Sequence, residues 1–324
     1  MAATKKKSNL LSDQVRATLA RHLAPGARLR LGLSGGLDSM VLLHVLAGLR
    51  SDYIVTALHV HHGISAHADK WVAFCRQACA QLEVPLQVVR VKLDPDASEG
   101  LEAAARGARY EALAKPGADA VLTAHHADDQ TETVLFQLLR GGGPRALAAM
   151  PECRPLAPGL LLVRPLLACT RTELEAYSRQ HGLLWVEDDS NLDPRYTRNA
   201  LRLDVIPAIA RHLPNYREHL LSSAQRMAEA ADLLDELAKL DGAEAGLPDS
   251  LDCDVLKRLP EVRARNLLAH YLRLQGVPLP GPAHLAEMLR QLKDARTRLV
   301  LPLADGRVLT RGKGRIRIGQ ADLS

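Results

Sequence analysis

Residues 28–39 of the chain read RLRLGLSGGLDS, and this stretch decides the fold. Residues 28–33 predict a short strand, and the apolar spacing from residue 39 to residue 49 predicts a helix. The loop between them is Ser34-Gly35-Gly36-Leu37-Asp38-Ser39. Its two glycines allow a sharp turn, and the free N–H groups at the start of the helix favour an anion. The stretch therefore predicts a strand–loop–helix unit that binds phosphate.

Further strands and helices alternate after this unit. Strands are predicted at 53–60, 86–91 and 119–123, and helices at 70–82, 99–115 and 128–139. Repeated units of this kind with apolar strands predict an α/β fold built on a doubly wound, mainly parallel sheet. Ligands bind such sheets at the carboxyl ends of the strands, so the loops that follow the strands should carry the site. Residues 141–164 are expected to be less regular, and 170–181 to be helical.

The pattern changes near residue 213. At 324 residues the chain is long enough for about two domains. A long Ala/Leu-rich helix is predicted at 216–240, and residues 298–319 predict short basic strands around a turn at Asp305-Gly306. We therefore expect a first domain at 1–214 and a smaller, mostly helical domain at 215–324 that ends in the basic strands.

Composition limits the class of protein. Apolar residues make up 47% and charged residues 24%, which is typical of soluble proteins. No stretch approaches the roughly 20 apolar residues of a membrane span, and the start lacks the apolar segment of a secretory signal. A cytoplasmic location without a membrane partner is expected. The five cysteines form no C-x-x-C pair, which argues against a zinc ribbon, an iron–sulfur site and a thioredoxin-like motif.

Charge is unevenly distributed. The net charge is +5, but residues 1–50 carry +6, residues 251–324 carry +7, and the middle carries −8. This asymmetry indicates either a polyanion that contacts both ends or a solvated basic surface. Near the C-terminus the basic residues alternate, which predicts a stripe on one face of a strand that binds phosphate backbone. The stripe comprises Arg307, Arg311, Lys313, Arg315 and Arg317.

The glycine loop resembles a known nucleotide-binding signature. It has no lysine at its end and lacks the G-x-G-x-x-G pattern, so two common nucleotide loops are excluded. The pattern S-G-G-x-D-S after a strand resembles the PP-loop ATP pyrophosphatases, which cleave ATP between the α- and β-phosphates. The resemblance implies that residues 34–39 bind ATP and that Asp38 lies near a Mg²⁺ ion on the leaving pyrophosphate.

Four further segments resemble the tRNA(Ile)-lysidine synthetases within that superfamily. Residues 58–63 resemble H-V-N-H-G, residues 124–133 resemble G-H-H-x-D-D-Q-x-E-T, and residues 164–167 match R-P-L-L. Residues 189–202 match D-x-S-N followed by Y-x-R-N-x-x-R. The resemblance covers about residues 28–210. His61 stands where the family usually has Asn, and Ala124 where it usually has Gly.

The resemblance implies a function and a set of site residues. The function is to adenylate the wobble cytidine of tRNA(Ile) with anticodon CAU and to join free L-lysine to its C2, with ATP and Mg²⁺ required. The target cytidine must leave its stack, so residues 215–324 are expected to grip the tRNA. The expected catalytic residues are Asp38, His125, Asp129 and Glu132. The expected phosphate or RNA contacts are Arg106, Arg109, Arg198 and Arg202.

The acidic block also has an interpretation that does not depend on the family. Asp129 and Glu132 are three residues apart on a helix, so their carboxylates share a face and can grip a cationic amine. Asp128 is expected to be a cap or a supporting charge, and His126 to be structural. Acids that complement the helix dipole are a second interpretation, and a two-metal hydrolase site is a third. Glu102 and Tyr110 accompany Arg106 and Arg109 on their helix, which is either a site element or a surface pair.

Other functions remain as alternatives. A related tRNA 2-thiolase commonly brings C-x-x-C pairs, which this chain lacks. An amidotransferase-type synthetase needs a glutaminase partner, and no glutaminase motif is visible. A non-catalytic RNA-binding module is a further alternative, but it would not explain why Asp38, Asp129 and Glu132 are present.

Overall fold

A computed structural model describes residues 2–63, 65, 67–93, 101–187 and 197–320, and the side chains of 2–9, 101 and 102 lie outside the description. Two compact units result, Met1–Gln225 and Arg226–Ser324. The division falls inside the long helix Tyr216–Asp241, C-terminal to the predicted boundary at residue 215. Over the described residues no helix has both the length and the apolar character needed to cross a bilayer.

The first unit alternates strands and helices. Its strands are β1 (Arg28–Gly32), β2 (Ile54–His61), β3 (Leu86–Arg90), β4 (Ala120–Leu122), β5 (Cys153–Ala157) and β6 (Leu160–Val163). Its helices are α1 (Ala2–His22), α2 (Leu37–Ala47), α3 (Ala68–Gln81), α4 (Leu101–Leu113), α5 (Ala127–Leu139), α6 (Pro144–Leu147), α7 (Arg171–His181), α8 (Thr197–Ala200) and α9 (Ile206–His212). The next helix, α10 (Tyr216–Asp241), begins in the first unit and continues into the second. A π-helical segment, Leu201–Val205, joins α8 to α9.

These strands form one sheet in the order β3-β2-β1-β4-β6-β5. All neighbours are parallel except β5, which is antiparallel to β6. The predicted mainly parallel sheet is confirmed. The expectation of irregular structure over 141–164 is wrong, because β5 and β6 lie there. The proline at 155 and the register shift between Pro155 and Ala157 interrupt the alternation that would have predicted β5.

Both faces of the sheet are covered, as the apolar strands require. One face packs Leu29, Leu31 and Leu122 against α1, α2 and α7. The other face packs Val121 and Leu162 against the end of α4. Burial on both faces explains why these strands are continuously apolar instead of alternating with polar residues. Because β1, β2, β4 and β6 are parallel, their carboxyl ends meet at one edge of the sheet.

The second unit combines helices with an antiparallel sheet. It contains β7 (Leu251–Asp252), α11 (Cys253–Arg258), α12 (Glu261–Leu274), α13 (Pro282–Asp294), β8 (Leu299–Pro302), β9 (Arg307–Gly312) and β10 (Arg315–Gln320). The strand order is β7-β10-β9-β8, and all neighbours are antiparallel. Tyr271 of α12 is fully buried in a core with Leu309 and Ile316 of the sheet. The predicted helical domain that ends in short basic strands is confirmed.

The predicted basic stripe on these strands is wrong. Residues 307–317 form two strands joined by a turn at Lys313-Gly314, and both turn residues have positive φ. Arg311 pairs with buried Ile316, is itself 9% exposed, and donates to the carbonyl of Thr297 at 3.2 Å. The turn reverses the chain, so the alternation of a single strand does not continue across it. Arg317 is exposed, but the five residues do not share one face.

We expect the sheet to depend on its central apolar residues. Leu122→Ala removes a fully buried side chain from β4 and should lower the free energy of unfolding by about 2–5 kcal/mol because it leaves a cavity. Leu139→Ala is the matched control, since Leu139 is 71% exposed. Urea unfolding followed by circular dichroism measures both variants. Equal effects of the two substitutions would contradict the placement of β4 in the core.

Candidate active site

The loop after β1 leads directly into the N-terminus of α2. Gly36 is the N-cap, and no side chain caps the helix there. The first N–H groups of the helix therefore have no partner from a capping side chain, and together with the helix dipole they favour an anion at this position. The predicted phosphate-binding loop thus has the geometry expected of it.

The two serines of the loop have different surroundings. Ser39 is 4% exposed, and its Oγ accepts from the N–H of Gly35 at 3.1 Å and donates to the carbonyl of Gly36 at 2.9 Å. Ser34 Oγ lies 3.0 Å from Ser39 Oγ, and it accepts from the N–H of Gly36 at 3.3 Å. Ser39 therefore braces the loop from inside, whereas Ser34 lies on its exposed side.

Gly35 is the residue that permits this turn. Its φ is +90°, a region that L side chains rarely adopt. A Cβ at this position would lie 3.0 Å from Cγ2 of Val186 and 3.1 Å from Sγ of Cys75. Val186 also donates its N–H to the carbonyl of Gly35 at 3.0 Å. The segment before residue 188 therefore packs against the loop and leaves no room for a side chain there.

The C-terminal part of β2 also contacts the strand end that precedes this loop. His59 is 4% exposed, and its Nδ1 donates to the carbonyl of Leu33 at 2.8 Å. Burial lowers the pKa of His59, so the ring is neutral. His61 lies at the end of β2 with Nε2 3.3 Å from Asp69. The histidines of this segment are therefore supports of the fold at the site edge.

Asp38 lies in the first turn of α2, between the guanidinium of Arg171 and the imidazole of His126. Nη1 of Arg171 donates to both carboxylate oxygens, at 3.1 and 3.0 Å. Nε2 of His126 lies 3.6 Å from Oδ2. The Asp38 side chain is 26% exposed. Arg171 was not predicted from the sequence. It lies 133 residues after Asp38, and no motif around it indicates that it pairs with an acid.

The loop after β4 brings the second acidic block to the same place. His126 is the N-cap of α5: its Nδ1 accepts from the N–H of Asp128 at 3.2 Å, and its own N–H donates to Asp129 at 2.9 Å. This arrangement points Nε2 toward Asp38 and Asp129. Burial lowers the pKa of His126, but the surrounding carboxylates outweigh burial and raise it above its ordinary value. His126, expected to be structural, thus links the two acidic groups.

Asp128 connects the start of α5 to α7 and α10. One of its oxygens accepts the N–H of Arg171 at 2.8 Å, and the other accepts from the guanidinium of Arg217 in α10. Asp128 is therefore a supporting charge, and the cap expected of it is supplied by His126 instead.

Asp129 and Glu132 share a face, as their spacing predicts, but a cation already lies there. Arg202 binds both oxygens of Glu132, at 2.6 and 2.9 Å, and its Nη2 lies 3.5 Å from Asp129. Glu132 is 3% exposed, and burial raises the pKa of its carboxyl group despite the attraction of Arg202. Arg202, expected to contact phosphate or RNA, is instead the partner of the acidic pair.

His125 lies in a different electrostatic environment from His126. It keeps part of its surface exposed, and its Nδ1 lies 2.9 Å from Oγ1 of Thr123. Burial and the positive charge of four nearby arginines lower the pKa of His125 to about 3. Those arginines are Arg164, Arg109, Arg106 and Arg198. Three of the four predicted phosphate contacts are thus brought together around a neutral imidazole.

Two aromatic rings accompany this arginine cluster. The guanidinium of Arg106 lies 5.4 Å from the ring centroid of Tyr110, and that of Arg198 lies 5.8 Å from the ring of Phe136. Such contacts hold guanidinium groups in defined orientations. The edge of the sheet therefore carries an acidic zone around His126 and a basic, aromatic zone around His125. The side chain of Glu102 and the segment 189–196 lie outside the described residues.

Within the described ranges, no three histidine, cysteine or acidic side chains converge as a preformed metal site. The two-metal interpretation therefore has no support there. Asp38 nevertheless suits Mg²⁺, which is commonly held by one or two carboxylates together with substrate phosphates.

Comparison with known proteins identifies the family. A model described as PP-loop domain matches residues 7–209, and one described as TilS substrate binding domain matches residues 251–317. A tRNA(Ile)-lysidine synthase of Chromobacterium violaceum is 48% identical, over 82% of this chain and 61% of that protein. One of Pseudomonas fluorescens is 44% identical, over 92% of this chain and 70% of that protein. The chain belongs to the tRNA(Ile)-lysidine synthase family.

The family resemblance drawn from the motifs is thereby confirmed. The chain spans 61% of the length of the Chromobacterium lysidine synthase. Among solved structures, the U34-tRNA thiolase NcsA of Methanococcus maripaludis, described with its [4Fe-4S] cluster, superposes with a TM-score of 0.59. It is 17% identical, and the match covers 69% of this chain and 80% of that one. This likeness shows a shared fold.

We predict that Gly35 of this lysidine synthase family member cannot be replaced without strain. Gly35→Ala should lower the free energy of unfolding by about 1–3 kcal/mol, because it combines a positive φ with a Cβ contact of 3.0 Å. Gly36→Ala is the matched control: its φ is −72°, and an added Cβ would lie 3.5 Å from its nearest neighbour. Thermal and urea unfolding distinguish them. Equal stability of the two variants would contradict this loop geometry.

We also predict that the His125 ring stays neutral down to acid pH. A folded pKa of about 3 lies below the ordinary value of 6.5, so the unfolded state binds the proton first. The associated stability is complete above pH 6.5 and is lost as the pH falls toward 3. Two-dimensional NMR of the ring protons, assigned with His125→Gln, should show no titration above pH 5 (roughly two units above that folded pKa). A midpoint near 6.5 would contradict the basic surroundings.

Proposed function

We propose that this protein is an ATP-dependent ligase that forms lysidine in tRNA(Ile). In the first step ATP adenylates O2 of the wobble cytidine in the CAU anticodon and releases pyrophosphate. In the second step the amino group of free L-lysine attacks C2 and releases AMP. The observation that carries the proposal is the meeting of the phosphate loop after β1 with the acidic block after β4, since His126 spans Asp38 and Asp129 at 3.6 Å from each.

The topology supports a nucleotide at this position. β1 and β4 are neighbours in the sheet although they are far apart in the chain, so the order of the strands reverses between them. Ligands of open α/β sheets bind in the crevice at such a reversal. The uncapped N-terminus of α2 would bind the pyrophosphate part of ATP, with Ser34 and the glycines against its oxygens. Asp38 would hold Mg²⁺, which neutralises charge on the departing pyrophosphate.

The amine would approach on the side of Asp129. Glu132 is buried and fully engaged with Arg202, whereas the Asp129 side chain is 19% exposed and lies 3.5 Å from that guanidinium. We therefore assign the lysine ammonium contact to Asp129, and assign Glu132 to holding Arg202 beside it. Only the neutral amine is nucleophilic, so a carboxylate that accepts its proton assists the second step.

The basic zone supports an RNA contact on the same edge. Arg106, Arg109 and Arg198 surround a histidine that carries no charge at neutral pH, so the zone remains strongly positive. Phosphate oxygens of the anticodon loop would neutralise this positive charge. The second unit, 226–324, would hold another part of the tRNA. The family model that matches residues 251–317 is described as a substrate binding domain, which supports this role. The proposal places the enzyme in the cytoplasm with its substrates.

The cysteines weigh against sulfur transfer as the alternative. Four of the five thiols are buried. Burial raises the pKa of Cys75 and Cys169 to about 12 and that of Cys79 to about 11, so these thiols remain protonated. Thiolates are the reactive form of cysteine. None of these three is therefore suited to carry sulfur or to hold an iron–sulfur cluster.

Product analysis tests the proposed function. Pyrophosphate should form when tRNA(Ile) and ATP are present, and AMP should form only when lysine is added as well. Asp38→Asn should lower the rate at least about 100-fold, as expected for loss of a charged group that contacts the reacting phosphates. Asp129→Asn should spare pyrophosphate release and slow the lysine step, so that adenylated tRNA accumulates. Asp294→Asn is the control, because that side chain is 67% exposed.

Two results would contradict the proposal. One is AMP formation that requires a sulfur donor instead of lysine. The other is full turnover by a folded Asp38→Asn protein, which would remove Asp38 from the mechanism. Quantification of AMP by chromatography and of modified nucleoside by mass spectrometry separates these outcomes.

A further inference from the structure

Arg171 is the first residue of α7, and its guanidinium lies against the acid of the phosphate loop. Nη1 donates to both oxygens of Asp38, at 3.1 and 3.0 Å, and Nε lies 3.4 Å from Glu175. The Arg171 side chain is 44% exposed. A half-exposed guanidinium at the mouth of a phosphate loop is free to exchange one anion for another.

The guanidinium is not needed to hold α7 in place. Thr170 and Glu173 form a capping box that starts the helix. The backbone N–H of Arg171 donates to Asp128 at 2.8 Å, and the N–H of Ala127 donates to the carbonyl of Cys169 at 2.8 Å. These bonds involve the backbone of residue 171 and its neighbours, so they survive any side chain other than proline at this position. The side chain is therefore available for a role of its own.

Its placement is electrostatically unfavourable unless an anion is present. A cation in the first turn of a helix opposes the helix dipole, whereas an acid there is favoured. Asp38, in the first turn of α2, has the favoured sign, and Arg171, in the first turn of α7, has the unfavoured one. The pairing of the two offsets this penalty. A phosphate group brought to the N-terminus of α2 would offer Arg171 a second anion at the same place.

We propose that Arg171 is the counter-ion that Asp38 gives up when ATP binds with Mg²⁺, and that the released guanidinium then contacts the pyrophosphate part of the nucleotide. This inference rests on the proposed function, since it requires ATP at the loop after β1. Arg171 holds Asp38 in position before the nucleotide arrives and keeps the acid from repelling the incoming phosphates. In the absence of Mg²⁺, Arg171 thereby neutralises the charge of Asp38 in place of the metal.

Removing the guanidinium should make nucleotide binding depend more strongly on metal. In the wild type without Mg²⁺, Arg171 screens Asp38 from the phosphates. In Arg171→Gln that screening is lost, and Mg²⁺ must supply it. In excess Mg²⁺ the variant loses the phosphate contact of the guanidinium, whereas without Mg²⁺ it also leaves the charge of Asp38 unscreened. The ratio of affinities with and without Mg²⁺ should therefore rise by about tenfold or more.

Isothermal titration with α,β-methylene ATP, in excess Mg²⁺ and in excess EDTA, measures this ratio without any turnover. Arg171→Gln should show the raised ratio. Arg171→Lys, which keeps the charge, should return it toward the wild-type value. Arg179→Gln is the matched control: Arg179 lies on the same helix, is exposed, and should leave the ratio unchanged. Circular dichroism confirms folding, and Arg171→Met, of similar length and also uncharged, replaces the Gln variant if that variant is unfolded.

The possible results distinguish the role of Arg171 from the use of ATP. A raised ratio in the uncharged variants with rescue by lysine supports the role of Arg171. An unchanged ratio in a folded Arg171→Gln protein overturns it and leaves Arg171 with a structural role. If the wild type binds the analogue in neither buffer, ATP use itself is contradicted, and the whole site must be reassigned.

Discussion

The carboxylate of Asp38 lies between the guanidinium of Arg171 and the imidazole of His126, and three separate parts of the chain meet at this one charge. Asp38 belongs to the loop after β1, His126 to the loop after β4, and Arg171 to the start of α7. None of these contacts is local in sequence. They exist because β1, β4 and β6 pair in parallel, which brings the carboxyl ends of the three strands to the same edge of the sheet. The arrangement of the candidate site follows from that pairing.

The two neighbouring histidines at this edge have different charged surroundings. Around His126 the carboxylates raise the pKa of the ring, and around His125 burial and four arginines lower it to about 3. The pKa values of two histidines that are neighbours in sequence are therefore shifted in opposite directions. A ligase for RNA needs both environments within a short distance: one for a metal-bound nucleotide and a cationic amine, and one for phosphodiester groups. His125 and His126 lie where the carboxylates around one ring meet the arginines around the other.

Much of the fold could be predicted because its signals are local. The strand β1, its glycine loop and α2 follow from periodicity and from two adjacent glycines, and the acidic face of Asp129 and Glu132 follows from helical spacing. The partners of those acids could not be predicted. Arg202 is 70 residues from Glu132, and only the tertiary fold brings them together. The basic stripe failed for a related reason: a turn at Lys313-Gly314 splits the segment into two strands, and alternation across a turn carries no information about faces.

We propose that the loop at residues 34–36 and the charge of Asp38 together form a site for the pyrophosphate part of ATP. A crystal structure of the protein with Mg²⁺ and a non-hydrolysable ATP analogue would test this site. We expect phosphate density against the N–H groups at the start of α2, with Mg²⁺ on Asp38 and the guanidinium of Arg171 turned from the acid to a phosphate oxygen. An analogue bound elsewhere on the protein, with the contact between Asp38 and Arg171 intact, would contradict it.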